Sequence, residues 1–152
     1  MRALLVHSDA RPFEVERFTA AWTRGGGKAE ELLPITPACA DAVLESLPAV
    51  DGMILTGGPD VEPWRYWSKQ EEGLDLHIDI ARDTLDLDLI ARADELRWAV
   101  LGICYGCQIL AVACGCSLIQ NLEQLGKPGH RVPEPKSYLA HDVIVRPGSR
   151  FL

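Results

Sequence analysis

No stretch of about 18 consecutive apolar residues, the length needed to cross a bilayer, occurs in this chain. The opening residues, Met1 to Ser8, hold an apolar run too short for a secretory signal, so a cytoplasmic location is expected. Lysine–arginine clusters longer than two are missing as well. With 22 acidic against 15 basic residues and a formal charge of −7, the chain would repel a nucleic-acid backbone, and a small molecule is the expected partner. The chain contains no internal repeat and no low-complexity tract, which excludes solenoid and linker architectures. Cysteine is too sparse for a disulfide-built miniprotein. In a reducing compartment Cys39, Cys104, Cys107, Cys114 and Cys116 are to be read for packing, catalysis or metal before disulfides.

What is present suits one globular domain over residues 1–152, because 47% hydrophobic and 24% charged residues are ordinary globular usage. The apolar runs Ala3–Val6, Met53–Leu55 and Ala99–Ile103 are continuous rather than alternating, as in strands of a parallel sheet covered on both faces. Pro12 can open a helix in which Val15, Phe18 and Trp22 recur at helical spacing and which Gly25-Gly26-Gly27 ends. Glu31–Pro34 reads as an edge-like strand and Ala38–Leu47 as a short helix. Arg82–Leu96 fits both periods, and its length selects helix. A helix is predicted from Tyr105 to Cys114, closed by Gly115. Beyond it lie a short strand at Ser117–Ile119, an irregular Gly/Pro-rich loop over Leu122–Lys136, and an alternating strand at His141–Val145. Strands alternating with helices imply a three-layer α/β domain.

Chemistry concentrates at Gly102-Ile103-Cys104-Tyr105-Gly106. An apolar strand, a nucleophilic side chain between two glycines and a following helix have the pattern of a nucleophile elbow. The tight turn pushes Cys104 outward to a helix N-terminus, where unbonded amides and the macrodipole favour a thiolate. The Tyr105 amide would face the oxyanion formed when a carbonyl is attacked. The competing readings are a buried packing cysteine, a Cys104/Cys107 dithiol, and a zinc site with Cys114 and Cys116. Zinc is disfavoured because the helix spacing prevents tetrahedral convergence, and no metal or cofactor is expected. Ordinary core packing is the preferred reading for Cys107, Cys114 and Cys116. A second informative stretch, Asp51 to Asp60, is a buried strand ending in Gly57-Gly58-Pro59-Asp60. Gly57 and Gly58 are candidates for a second oxyanion donor at the carboxyl edge of the sheet, although the same residues also encode a plain turn.

The order of these motifs resembles the gamma-glutamyl-gamma-aminobutyrate hydrolase family, part of the class I glutamine amidotransferase-like group and of the C26 peptidases. The residues that carry the resemblance are Thr56–Pro63, Tyr66, Arg82-Asp83, Gly102–Gln108, Gly115–Gln120, His130-Arg131 and His141. It implies a flavodoxin-like, mostly parallel sheet with helices on both faces. By the same resemblance Cys104 attacks a gamma-glutamyl amide to form a thioester, the amides of Tyr105 and Gly58 steady the oxyanion, and water then releases glutamate. Gln108 and Asp60 match positions beside the pocket, and local hydrogen bonding is the alternative for both. Arg82-Asp83 fits the start of a helix better than substrate contact.

Pro59, Cys107, Cys116 and Asn121 depart from the family's usual residues. The family's catalytic histidine and glutamate belong to a later His-Pro-Glu segment that this sequence does not reach. His130 and His141 match non-triad positions. The C-terminal part is therefore expected to be missing, making the chain a fragment, a truncated product or a pseudoenzyme. Without its last strands the sheet should self-associate through an exposed edge unless a partner covers it. Readings in other classes are a glutaminase subunit feeding a synthetase, a noncatalytic binding module and a dithiol redox protein.

Overall fold

A computed structural model describes residues 1–122, 142, 144, 145, 147 and 148. The regular elements run β1 (Ala3–Val6), α1 (Phe13–Arg24), β2 (Leu32–Ile35), α2 (Ala40–Glu45), β3 (Gly52–Leu55), α3 (Ile80–Leu96), β4 (Ala99–Gly102) and α4 (Tyr105–Ala113). Met1–Leu118 form one compact unit and Ile119–Leu152 a second.

The four strands form one sheet in the order β2-β1-β3-β4, every pair parallel, which is the strand order of a flavodoxin-like fold. Parallel pairing requires a crossover between strands, and the sequence supplies helices for it. Because side chains alternate across a strand, Leu4 and Val6 enter one core while Ala3 and Leu5 enter the other. On the first face the core includes Met53, Leu55, Leu85, Leu89, Ile109 and Val112, with Val43 and Leu44 of α2 at its margin. On the second face, Val15, Phe18 and Trp22 of α1 cover Ala3, Leu5 and Leu32. The expected three layers, with helices on both faces, are therefore present. Complete burial of one such aliphatic or aromatic side chain stabilises the fold by about 1.5–3 kcal/mol, so the all-buried β1 anchors the domain.

Several local expectations hold to within a residue or two. Helix α1 starts after Pro12 and stops at Gly25. β2 is an edge strand, which is where Pro34 can lack an amide hydrogen without breaking an interior ladder. Helix α3 runs through the ambiguous segment, and Leu85, Leu89 and Ala93 form its buried stripe.

Two expectations fail. Ser117–Ile119 form no strand. Among the described residues β4 pairs only with β3, so no further strand lies beyond it for this segment to join, and Leu118 instead packs half-buried against the main core. Cys107, Cys114 and Cys116 are exposed rather than packed in the core. Helix α4 buries Tyr105, Gly106, Ile109 and Val112, which leaves Cys107 on its open side, while Cys114 and Cys116 lie past its last residue. Residues 123–136 of the expected Leu122–Lys136 loop, His130, and His141 and Val143 of the expected His141–Val145 strand lie outside the described residues.

Candidate functional site

The site forms where the carboxyl ends of β3 and β4 meet the amino end of α4. Cys104 occupies the N-cap position of α4 with φ 57° and ψ −114°, a backbone conformation that L-residues seldom adopt. Such a residue persists where its surroundings fix it. Here the Ile103 amide donates to the Leu55 carbonyl at 2.9 Å and the Gly106 amide to the Thr56 carbonyl at 3.1 Å, tying both sides of the turn to β3. Gly106 has no room for a Cβ, which would collide with the Leu55 carbonyl oxygen. The cysteine itself is exposed.

Gly57 and Gly58 leave the end of β3 beside this elbow, both half-buried. A β-carbon on Gly57 would lie 3.9 Å from the Cys104 Cβ, so the loop backbone runs alongside the thiol-bearing residue. A β-carbon on Gly58 would fall 2.8 Å from the Tyr105 Cγ, which shows that the Tyr105 ring lies directly against this glycine. Tyr105 is itself fully buried, with its amide at the first position of α4, where helix geometry provides no intrahelical acceptor.

The other two expected residues separate. Gln108 lies exposed in the first turn of α4 with its amide 3.3 Å from the Cys104 carbonyl. Asp60 is held by a different segment: its amide donates to the His77 carbonyl at 2.6 Å and its carboxylate accepts the His77 amide at 3.0 Å. Local hydrogen bonding is thus the observed occupation of Asp60.

Sequence reasoning passed over Glu14 and Arg11. Glu14 Oε2 accepts the Thr56 hydroxyl at 2.7 Å, and its Oε1 pairs with Arg11 at 3.1 Å. A β-carbon on Gly57 would stand 3.1 Å from the Arg11 Nη1, so this pair forms a wall of the same loop. A signal was available, since Glu14, Phe18 and Trp22 recur at four-residue spacing and put an acidic group on a helix face that is otherwise apolar.

Arg82 and Asp83 do more than begin α3. Asp79 caps that helix by accepting the Arg82 amide at 3.0 Å, while both Arg82 and Asp83 turn inward with no exposed surface. The Arg82 guanidinium reaches the Val6 carbonyl at 2.9 Å and stands 5.3 Å from the centre of the Tyr105 ring. Asp83 accepts the Tyr105 hydroxyl at 2.6 Å. Burial raises the Asp83 carboxyl above its ordinary range, against the hydrogen bonds from Tyr105 and Glu62 that pull it down. Burial likewise pushes the Tyr105 hydroxyl far upward, so it remains a donor.

Of the described histidines, His7 is buried with Nδ1 3.1 Å from the Ser8 carbonyl, and burial lowers its ring below the ordinary value. Among the described residues no group of three or more His, Cys, Asp or Glu side chains is arranged to hold a metal ion. Nor is any helix among them long and apolar enough to cross a membrane.

A parallel flavodoxin-like sheet with a strained cysteine between strand and helix, faced by a diglycine loop, defines the glutamine amidotransferase-like class. The model of the Peptidase C26 family matches residues 15–152, and the chain belongs to that family. It is 40% identical over 102 residues to the "Putative glutamine amidotransferase" of Schizosaccharomyces pombe, a stretch covering 66% of this chain and 40% of that protein. It is 38% identical over 109 residues to the gamma-glutamyl-gamma-aminobutyrate hydrolase PuuD of Escherichia coli K12, covering 67% of this chain and 42% of that one. The chain thus spans about two fifths of the length of these two relatives.

Proposed function

We propose that this chain carries the nucleophile and oxyanion site of a cysteine hydrolase acting on γ-glutamyl amides. Support comes from the family, from the relative named as a gamma-glutamyl-gamma-aminobutyrate hydrolase, and above all from the closeness of Gly57 to Cys104 and of Gly58 to Tyr105. In this reading the Cys104 sulfur bonds to the γ-carbonyl carbon and the oxygen becomes an oxyanion held by the amides of Tyr105 and Gly58. Collapse of that intermediate breaks the carbon–nitrogen bond, and the thiol proton ends on the departing amine. Water then adds its hydroxyl to the thioester carbon and its proton to sulfur, releasing glutamate. Gln108, exposed on the first turn of α4, is kept as a substrate contact in this proposal. Asp60 is kept as a residue beside the pocket, its carboxylate held in place by the His77 amide. A cytoplasmic setting suits the chemistry, since the nucleophile has to stay reduced.

The experiment is acyl trapping. Incubation with a γ-glutamyl anilide should leave a γ-glutamyl adduct on Cys104, visible by peptide mass mapping and removed by hydroxylamine, and Cys104→Ser should abolish it. Adducts spread evenly over Cys104, Cys107, Cys114 and Cys116, or no adduct at all, would defeat the reading. The name of the Schizosaccharomyces pombe relative favours a second reading, a glutaminase that supplies ammonia. Faster trapping from glutamine than from γ-glutamyl-aminobutyrate would select it.

A further inference from the structure

We propose that Asp83 is a positioning residue for this chemistry, clamping the Gly57–Val61 loop to the α4 elbow so that the two walls of the oxyanion site keep a fixed separation; the inference rests on Cys104 being the nucleophile. The loop is pinned at both ends. At its start the Thr56 carbonyl accepts the Gly106 amide at 3.1 Å. Just past its end, the Glu62 amide donates to Asp83 Oδ2 at 2.9 Å, while Asp83 Oδ1 accepts the Tyr105 hydroxyl at 2.6 Å. One carboxylate therefore joins the far end of the diglycine loop to Tyr105, the residue that opens α4 directly after Cys104. Between the two ties, Gly58 rests on the Tyr105 ring, so any drift of the ring carries the Gly58 backbone with it.

Helix formation does not require Asp83 to be placed this way. Asp79 already caps α3, and an acidic residue in a first turn interacts with the helix dipole just as well from the solvent side. Asp83 instead has no exposed surface, a placement that costs desolvation and is offset by its bonds to Tyr105 and Glu62 and by the charge of Arg65. Its neighbour Arg82, held by Asp86 and the Val6 carbonyl, stands over the Tyr105 ring and fixes it further.

The test compares two reagents on the full chain as wild type, Asp83→Asn, Tyr105→Phe and the double variant. Iodoacetamide reports the thiol alone, whereas a diazoketone with the γ-glutamyl skeleton also needs its carbonyl polarised by the oxyanion site. Each single variant should slow Cys104 labelling by the diazoketone about ten- to a hundredfold, the upper end being the cost of a group misplaced by an ångström, and leave iodoacetamide within about twofold. The double variant should be no slower than the worse single, because both changes open one clamp. Amide exchange at Gly58 and Glu62 should quicken in all three. Equal slowing with both reagents, or unchanged exchange, overturns the positioning role. Wild-type Cys104 that ignores the diazoketone overturns the nucleophile reading and the positioning role with it, and is recognised as that failure if exchange still quickens in the variants. If Asp83→Asn does not fold, Tyr105→Phe carries the test by the removal of one oxygen.

Discussion

Arg82 and Asp86 lie one turn apart on α3, neither with any exposed surface, and the Arg82 Nε donates to the Asp86 Oδ1 at 2.7 Å. The pair is buried deeply enough that desolvation outweighs the arginine's attraction, and the Asp86 carboxyl is raised from 3.8 to about 6. A folded-state value above the unfolded one means that the native protein holds a proton the unfolded chain has released. The Asp86 contribution is therefore most favourable below pH 3.8 and is lost as pH rises to about 6. Two pH units correspond to about 3 kcal/mol. His7 acts in the opposite sense, because burial lowers its ring below 6.5 and its share of stability is lost as pH falls. The informative measurement is thus the difference between wild type and Asp86→Asn in urea unfolding from pH 4 to 7. That difference should slope, and a flat one would refute the assignment. Arg82→Met, which strands the carboxylate, should destabilise by about 3–5 kcal/mol at neutral pH.

Gly58→Ala places a methyl group 2.8 Å from Tyr105 Cγ and 2.9 Å from Cδ1. The ring is buried and bonded to Asp83, so it cannot swing clear without losing that bond. We expect about 1–3 kcal/mol of destabilisation from overpacking, with a lower thermal midpoint. Acyl trapping at Cys104 should fall further than the midpoint alone accounts for.

Thr56→Val removes the hydroxyl that Glu14 accepts at 2.7 Å. Glu14 keeps Arg11, but one oxygen of a buried carboxylate loses its partner. The expected cost is about 1–3 kcal/mol by chemical denaturation. Glu14→Gln in the same background should recover part of it, because a neutral amide is cheaper to bury than a carboxylate. Additive losses in the double variant would show the two residues to be independent.

On the sheet face that α1 covers, Leu101 and Ile103 remain 46% and 40% exposed. Among the described residues β4 also pairs on one side only. Such a surface favours self-association, and we expect size-exclusion elution to shift with protein concentration. Leu101→Lys with Ile103→Lys should move the chain toward the monomer position. A monomer at all concentrations in the unaltered chain would contradict the expectation.

The elements that could be read in advance are those whose signals are local. Continuous apolar runs marked β1, β3 and β4, helical spacing marked α1, and the glycines around Cys104 marked the elbow. The Ser117–Ile119 strand was misread because a short apolar run fits a strand only when a neighbouring strand is there to receive it. The three outer cysteines were misread because a cysteine's average burial says nothing about which side of α4 faces the core.

Sequence alone was enough for the parallel α/β class and for the tight strand-to-helix turn at Cys104, since both follow from spacing within a few residues. It could not disclose that Asp83 bridges Tyr105 and Glu62, that Glu14 reaches Thr56, or that Asp60 is taken up by His77. Each of those bonds joins groups 17 to 42 residues apart, and only the packing of α1, α3 and the β3 loop around one sheet edge brings them within hydrogen-bonding distance.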